Sequence, residues 1–140
     1  MKKKTKKPLT PAKLKKKLDA IFSQYVRMKY ANPSTGDVRC YTCGYTAHWK
    51  KLQNGHLVSR YYLATRFDER NCRPQCFTCN MYRNGMIPDF SRNLEEELGD
   101  GITKELYKLA QKITIDFPYL QKIEEYKKKV DTMISVTPMI

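Results

Sequence analysis

The sequence predicts an α+β fold in which a small zinc-stabilised core lies between an N-terminal helix and several C-terminal helices. Two CxxC pairs, Cys40/Cys43 and Cys76/Cys79, are separated by 32 residues, and the segment between them is typical of short strands and turns. Apolar residues recur at helical spacing on both sides of this segment. The 140 residues are enough for one domain with an added helical arm, but not for two large domains.

The N-terminal part is predicted to be a basic tail followed by an amphipathic helix. Residues 1–9 are rich in lysine, and we expect them to be disordered. Thr10 is a candidate N-cap and Pro11 suits the first helical position, so a helix is expected over 11–30, within the segment 10–32. The apolar residues that recur along one side of this helix are Leu14, Leu18, Ile21, Phe22, Tyr25 and Val26.

Residues 37–87 are predicted to form the zinc-binding core. A loop over 32–37 leads into the first cysteine pair, and residues 47–60 favour a short hairpin with its turn at Asn54-Gly55. Residues 61–73 are polar and irregular, and Cys76 opens a short helix that ends near Asn84-Gly85. A zinc knuckle, a hairpin and a helix in this order describe a treble-clef or ββα arrangement.

Residues 88–140 are predicted to form a C-terminal helical extension. The first helix, capped by Asp89 or Ser91, is expected to end at Gly99. The second extends from Ile102 to Ile113, and the third begins at Pro118. No chemistry is visible in the sequence of these helices.

The cysteine pattern indicates a structural Zn²⁺ site. Two residues between cysteines let both thiolates point at one ion, and two such knuckles complete a tetrahedron, with Gly44 supplying a permissive backbone after the first. A thioredoxin-like redox pair would explain one CxxC but not two. The chain has five cysteines, and with no export signal this odd number argues against a disulfide framework. We expect Cys72, the remaining one, to be a buried small apolar residue.

The distribution of charge points to nucleic acid. The net charge is +13, and residues 1–83 carry 19 basic and 4 acidic side chains, against 8 and 10 in residues 84–140. Lysine and arginine that meet phosphates release condensed counterions, which favours such one-sided surfaces. For the lysine tail alone, a solvated segment that aids solubility is an equal alternative. The candidate DNA-binding residues are Lys50, Lys51, Arg60, Arg66, Arg73 and Arg83.

A membrane or secretory role is not expected. No apolar run approaches the roughly 20 residues that span a bilayer, and no apolar stretch follows the initial lysines. A zinc deaminase is excluded by spacing, because that signature needs H-x-E and a proline directly before the second cysteine pair. Here Lys50 and Val58 stand two residues after the histidines, and Pro74 lies one residue too early.

Two polar residues are expected to meet in one cleft. His56 lies in the predicted hairpin and Asn80 directly follows Cys79, so the zinc would lie behind both. Imidazole is the usual general base near neutral pH, and an amide oxygen is a hard ligand suited to Mg²⁺ or Mn²⁺. Phosphodiester hydrolysis needs both groups. Each has a structural alternative: His48 is expected to be an ordinary histidine, and Asn80 could instead cap a helix.

The motifs resemble one known family. The segments CYTCG at 40–44, GH at 55–56, RFDERN at 66–71 and QCFTCN at 75–80 resemble the NinG (Rap) recombination proteins of lambda-like phages. The resemblance covers roughly residues 12–113, and RFDERN followed by QCxxCN is far more specific than a single CxxC.

This resemblance implies a ββα-metal (treble-clef/HNH) nuclease core. His56 would then be the general base, Asn71 the residue that braces the loop and keeps the imidazole aimed, and Asn80 a ligand of the catalytic cation. HNH enzymes often place an Asp or His metal ligand beside the catalytic histidine, where this chain has Gly55. Asn71 could equally cap a turn, and residues 68–70 (Asp-Glu-Arg) are expected to form a salt-bridged turn.

The leading functional hypothesis is therefore a metal-dependent DNA endonuclease. The resemblance implies selectivity for branched recombination intermediates, a Holliday junction or a D-loop, in the host cytoplasm. Cutting two strands of a junction would favour a symmetric homodimer. The alternative is a non-catalytic zinc-binding accessory protein that binds nucleic acid and has no need of His56.

Overall fold

The fold is a small α+β structure with two short antiparallel sheets. The computed structural model describes residues 7–136, so the first six residues of the predicted basic tail lie outside the described part. The strands within this range are β1 (Asp37–Arg39), β2 (Thr46–His48), β3 (Gln53–His56) and β4 (Cys72–Gln75). Its α-helices are α1 (Pro11–Lys29), α2 (Leu63–Arg66), α3 (Ile87–Leu98), α4 (Ile102–Ala110) and α5 (Tyr119–Val136).

The first helix follows from its sequence. Oγ1 of Thr10 accepts a hydrogen bond from the backbone N–H of Lys13 at 3.3 Å, and Pro11 lies in the first turn. The first backbone N–H groups of a helix have no partner within it. Thr10 provides one of them with an acceptor and Pro11 has no N–H, so the helix begins where the sequence predicts. Its buried face packs against α5.

The strand pairing differs from the predicted hairpin. β1 pairs with β2 from Asp37 opposite His48, and β3 pairs with β4 from Gln53 opposite Gln75. Asn54-Gly55 lies inside β3, so the turn predicted there is wrong. A 3₁₀ turn over Trp49–Lys51 joins β2 to β3 instead. The Asn-Gly signal is overridden because each strand finds its partner outside the segment 47–60.

Gly55 is required by packing rather than by a turn. A Cβ atom at this position would overlap Oε1 of Gln75, whose buried side chain lies across β3. Nε2 of Gln75 donates to Oγ1 of Thr42 at 3.1 Å and to the carbonyl of Gly85 at 2.9 Å. Gln75 therefore links the first zinc knuckle, β4 and the turn after the second knuckle.

Three apolar clusters support the core. The first joins α1 and α5 to Phe67 and Cys72. The second packs α3 and α4 on Leu57 and Val58, directly after β3. The third surrounds the cysteine pairs. The C-terminal helices therefore contact the core on two sides.

None of the helices within residues 7–136 combines the length and hydropathy that crossing a membrane requires.

The helices after the core differ from the predictions at their ends. α3 begins at Ile87, so neither Asp89 nor Ser91 is its cap, because the left-handed backbone of Met86 lets the chain enter the helix earlier. α4 ends at Ala110, and Ile113, predicted to belong to it, is 90% exposed. α5 starts one residue after Pro118.

Replacing Gly55 by alanine should destabilise the protein by about 1–3 kcal/mol, because the added methyl group would displace the Gln75 side chain. Urea unfolding of the zinc-loaded protein measures this cost. The double variant Gly55→Ala/Gln75→Ala removes the overlapping oxygen, so the two changes should be strongly non-additive. Additive effects would contradict the packing explanation.

Candidate functional site

Four cysteines form a cluster with the dimensions of a zinc centre. The Sγ atoms of Cys40, Cys43, Cys76 and Cys79 all lie within 4.8 Å of one another, and those of Cys43 and Cys76 are 3.7 Å apart. A tetrahedral Zn²⁺ with 2.3 Å bonds would separate its sulfur ligands by about 3.8 Å. The donor set therefore fits structural zinc. Cys72 is fully buried and lies outside the cluster.

Both knuckles are shaped by backbone geometry. The first follows β1, where the backbone N–H of Cys40 bonds the carbonyl of Tyr45 and Gly44 has a left-handed φ of +81°. The second follows β4 and continues into a short π-helical turn, Thr78–Tyr82. Burial by itself raises the pKa of the Cys40 thiol, but hydrogen bonds from the backbone of Cys76 and Cys43 lower it to about 6. At Cys40 this favours the thiolate, the form that binds zinc, whereas burial raises the pKa of the Cys43 and Cys79 thiols.

A cleft of about 960 Å³ brings two of the three predicted catalytic residues together, and Asn71 is buried outside its lining. His56 and Asn80 both line it, as the sequence predicts for the leading hypothesis. α1 lines it with Asp19, Ser23 and Arg27. The remaining lining residues come from β3, the loop after β3, the segment after the second knuckle, and α4.

His56 is held in one orientation by the backbone. Its Nε2 lies 2.9 Å from the carbonyl oxygen of Arg66. A carbonyl only accepts, so Nε2 carries the hydrogen and Nδ1 keeps its lone pair in the neutral ring. Burial lowers the pKa of His56; the Arg66 carbonyl opposes this shift, and the positive charges of Arg66 and Arg60 add to it. The imidazole is therefore neutral near pH 7, as a general base must be.

Asn71 holds the loop that follows His56. Its side chain is fully buried, and Oδ1 accepts from the backbone N–H of Val58 at 2.9 Å. Nδ2 donates to the carbonyl of Val58 at 3.0 Å and to that of Thr65 at 3.2 Å. Because Val58 is two residues after His56, these bonds limit the movement of the strand end that carries the imidazole.

Arg66 supports His56 and is not a free cation. Its guanidinium forms a two-point ion pair with the carboxylate of Asp19 in α1, at 2.8 and 2.5 Å, and donates to the carbonyl of Arg60 at 2.7 Å. Only 15% of the Arg66 side chain is exposed. The Arg66 side chain is predicted from the sequence to contact phosphate. It instead fixes the position of Arg66, so that the backbone carbonyl of this residue can hold the imidazole of His56.

The prediction that Arg73 contacts DNA is wrong. This residue is 2% exposed, and its Nε pairs with Glu97 at 3.1 Å. Its Nη1 donates to the carbonyls of Glu69 and Cys72. Sequence alone could not show this, because the acidic partner lies in a helix 24 residues away. Four of the six predicted DNA-binding residues remain exposed: Lys50, Lys51, Arg60 and Arg83.

Asn80 does not cap a helix. It lies inside the π-helical turn, where its backbone N–H bonds the carbonyl of Cys76 at 3.0 Å. Its Nδ2 donates to Oε1 of Gln53 at 2.7 Å, which leaves Oδ1 as the remaining polar atom of the amide. Sequence reasoning did not assign Gln53 to the site. No local pattern indicates it, because its contact with Asn80 joins residues that are 27 positions apart in the chain.

The turn between α2 and β4 has the predicted ion pair. Arg70 and Asp68 are 2.8 Å apart. The neighbouring Glu69 accepts hydrogen bonds from the hydroxyl groups of Tyr25 and Tyr126, at 2.9 and 3.0 Å. This acidic turn therefore connects α1 and α5 to the core, and its carboxylates form structural hydrogen bonds and ion pairs.

His48 also has a structural role, since its Nδ1 accepts a hydrogen bond from the backbone N–H of Lys50.

Comparison with known proteins gives one family. The model of a family described as Bacteriophage Lambda NinG protein matches residues 1–134. No match was found among curated proteins or among solved structures.

Removing the metal, or replacing Cys76 by serine, should unfold the core, because a structural zinc site contributes on the order of 10 kcal/mol to a small domain. Circular dichroism and zinc content measure the outcome. Cys72→Ser is the matched control: it changes a buried cysteine outside the cluster, and one zinc ion per chain should remain. Full retention of the fold after complete metal removal would contradict the structural role of the cluster.

Proposed function

The chain belongs to the bacteriophage lambda NinG family, a recombination-associated family of phage proteins, and from this premise we propose that it is a metal-dependent DNA endonuclease of the HNH type. Its substrates would be branched recombination intermediates, a Holliday junction or a D-loop. The observation that carries the proposal is the placement of His56, neutral and held through Nε2, in the same cleft as Asn80.

The proposed chemistry is in-line hydrolysis of a phosphodiester bond. Nδ1 of His56 takes a proton from water, and the resulting hydroxide attacks phosphorus opposite the leaving oxygen. The ester P–O bond to that oxygen breaks, and the leaving oxygen takes a proton from solvent. The carbonyl of Arg66 keeps the ring in the tautomer that this step needs and stabilises the imidazolium that forms. Asn71 and the Asp19–Arg66 ion pair are positioning groups, since Asn71 holds the backbone at Val58 and the ion pair holds the residue whose carbonyl contacts the imidazole.

The residues fit a Mg²⁺ or Mn²⁺ ion that is shared with the substrate. Asn80 offers Oδ1, while Gln53 orients the amide by accepting from its nitrogen. Asp19 is the one carboxylate that lines the cleft within residues 7–136, and it is paired with Arg66. The described residues therefore offer this ion no unpaired carboxylate, which suits an ion bound mainly by phosphate oxygens and water. Such an ion would stabilise negative charge on the phosphate and on the leaving oxygen.

Exposed cations are suited to grip the flanking DNA. Arg60 lines the cleft, and Lys50 and Lys51 belong to the turn between β2 and β3. These side chains make no ion pair within the described residues, so their charge is available to phosphates without reading bases. The excess of basic residues in the first 83 positions adds a long-range attraction to DNA.

Replacing His56 by alanine should lower the cleavage rate of branched DNA about a hundredfold to ten-thousandfold while leaving DNA affinity unchanged. Single-turnover cleavage with Mg²⁺ or Mn²⁺, together with a binding titration, measures both. His48→Ala is the matched control, because this second histidine caps a turn outside the cleft and its loss should not affect the chemistry. If wild type and His56→Ala both bind branched DNA and neither cuts it, the protein is a binding accessory and the nuclease proposal fails.

The acid side of the pH profile should report the lowered pKa of His56. Because burial disfavours the imidazolium, kcat/KM should stay high as pH falls below 6.5 and should decline at a midpoint under that ordinary value. The free energy of unfolding should also decrease at acidic pH. The imidazole of His56 binds a proton more readily in the unfolded chain than in the folded protein, so folding weakens as pH falls through 6.5. A midpoint clearly above 6.5, unchanged in His48→Ala, would exclude His56 as the base.

A further inference from the structure

Exposed aromatic side chains lie beside the zinc cluster. Tyr45, Phe77 and Tyr82 are 59%, 49% and 76% exposed. The rings of Phe77 and Tyr82 pack edge to face, with their centroids 5.3 Å apart at an angle of 81°. Tyr45 and Phe77 line one hollow of about 470 Å³ next to the cysteines. Large apolar side chains clustered on a surface mark an interaction site more often than singly scattered ones do.

Two unpaired cations belong to the same hollow. Lys51 and Arg83 line it, and neither forms an ion pair with a described residue. No aspartate or glutamate is among the residues that line the hollow, although Cys43, Cys76 and Cys79 of the zinc cluster form one of its sides. This distinguishes Arg83 from Arg66 and Arg73, whose charges are neutralised by carboxylates. The hollow therefore offers ring surfaces and positive charge at one place.

The turn Thr78–Tyr82 lies between the hollow and the proposed active site. One face of the turn Thr78–Tyr82 carries Asn80 and Met81 into the cleft. The same turn places Tyr82 beside Phe77, and Arg83 follows it. A strand that leaves the cleft across this turn therefore reaches the aromatic side chains within a few residues of the predicted cation ligand.

The combination suits an unpaired nucleotide better than a paired one. Bases in a duplex are already stacked on their neighbours, so a duplex uses only the cations of such a surface. An unpaired base can stack on tyrosine or phenylalanine while lysine or arginine holds its phosphate. The geometry points to Tyr45, Lys51, Phe77, Tyr82 and Arg83 as a binding site for an unpaired nucleotide of branched DNA. The inference rests on the proposed function for its substrate and names the part of that substrate this surface recognises.

The test compares two DNA probes without added divalent cation, so that no cleavage is needed. One is a fully paired duplex, and the other is a forked duplex of the same phosphate count with a short unpaired arm. A 2-aminopurine placed in that arm reports stacking directly through its fluorescence. Affinity is measured across a range of salt concentrations for wild type and for variants of the exposed side chains.

Substitutions of the aromatic side chains and of the basic side chains should affect the two probes differently. Tyr82→Ala, alone and with Phe77→Ala, should weaken binding to the fork about fivefold to a hundredfold and leave duplex binding and the salt slope unchanged. Tyr82→Phe keeps the ring and should restore fork affinity and the 2-aminopurine signal. Lys51→Gln and Arg83→Gln should weaken both probes and lower the salt slope by about 1 each. Ile113→Ala, at a 90% exposed position outside the hollow, is the control for loss of apolar surface.

Equal affinities of wild type and Tyr82→Ala for the fork, with no change in the 2-aminopurine signal, would overturn the inference, as would an equal loss on both probes. Binding of a protein partner by this face would give the first of these results. Zinc content and thermal unfolding confirm that each variant is folded; Tyr82 lies outside the CxxC pair, so its variant tests the site without touching a zinc ligand. Failure of the nuclease proposal would be recognised by a different measurement, the comparison of DNA cleavage by wild type and His56→Ala. The binding test described here does not depend on cleavage.

Discussion

The structure depends on the meeting of four thiolates at one point. The first cysteine pair lies in the β1–β2 hairpin and the second directly follows β4, so an ion bound by all four would join two sheets that form no ladder with each other. The cluster of buried apolar residues around these cysteines is small, and apolar burial alone contributes little stability at this size. A metal that binds only the folded arrangement supplies what this core lacks. The turn that carries Asn80 begins within the second knuckle, so the same ion also determines where that amide lies.

The imidazole is fixed by a second set of interactions that does not involve the cysteines. His56 bonds the Arg66 backbone, Arg66 pairs with Asp19 of α1, and Asn71 holds Val58. α1 is packed in turn on α5, with Glu69 bonded to tyrosines from both helices. The C-terminal helix therefore supports the orientation of a residue that it does not touch. The proposed role of His56 as a general base would require such support, because a catalytic group must be held within about half an ångström of its working position.

Packing explains why position 55 is a glycine, where the proposed HNH-type site would be expected to have a metal-binding aspartate or histidine. An aspartate or histidine at position 55 would collide with Gln75, which connects the two knuckles through Thr42 and Gly85. The oxygen offered to the proposed ion is Oδ1 of Asn80, while Oε1 of Gln53 orients that amide by accepting from its nitrogen. A neutral amide binds a divalent ion more weakly than a carboxylate does, so the proposed ion would rely on the phosphate of the substrate.

The sequence by itself determined the features that depend on spacing and local chemistry. The two CxxC pairs specify the zinc cluster, the Thr10-Pro11 start specifies α1, and the RFDERN and QCxxCN motifs lead to the NinG family. The tertiary structure alone decided the features that depend on distant partners. Asn54-Gly55 became strand because β4 pairs with it, and Arg73 became buried because Glu97 reaches it from α3. The physical reason is that packing determines which hydrogen-bond and charge partners a side chain meets. An arginine such as Arg73 is buried when a carboxylate lies beside it, whereas Arg83, with no such partner among the described residues, stays exposed.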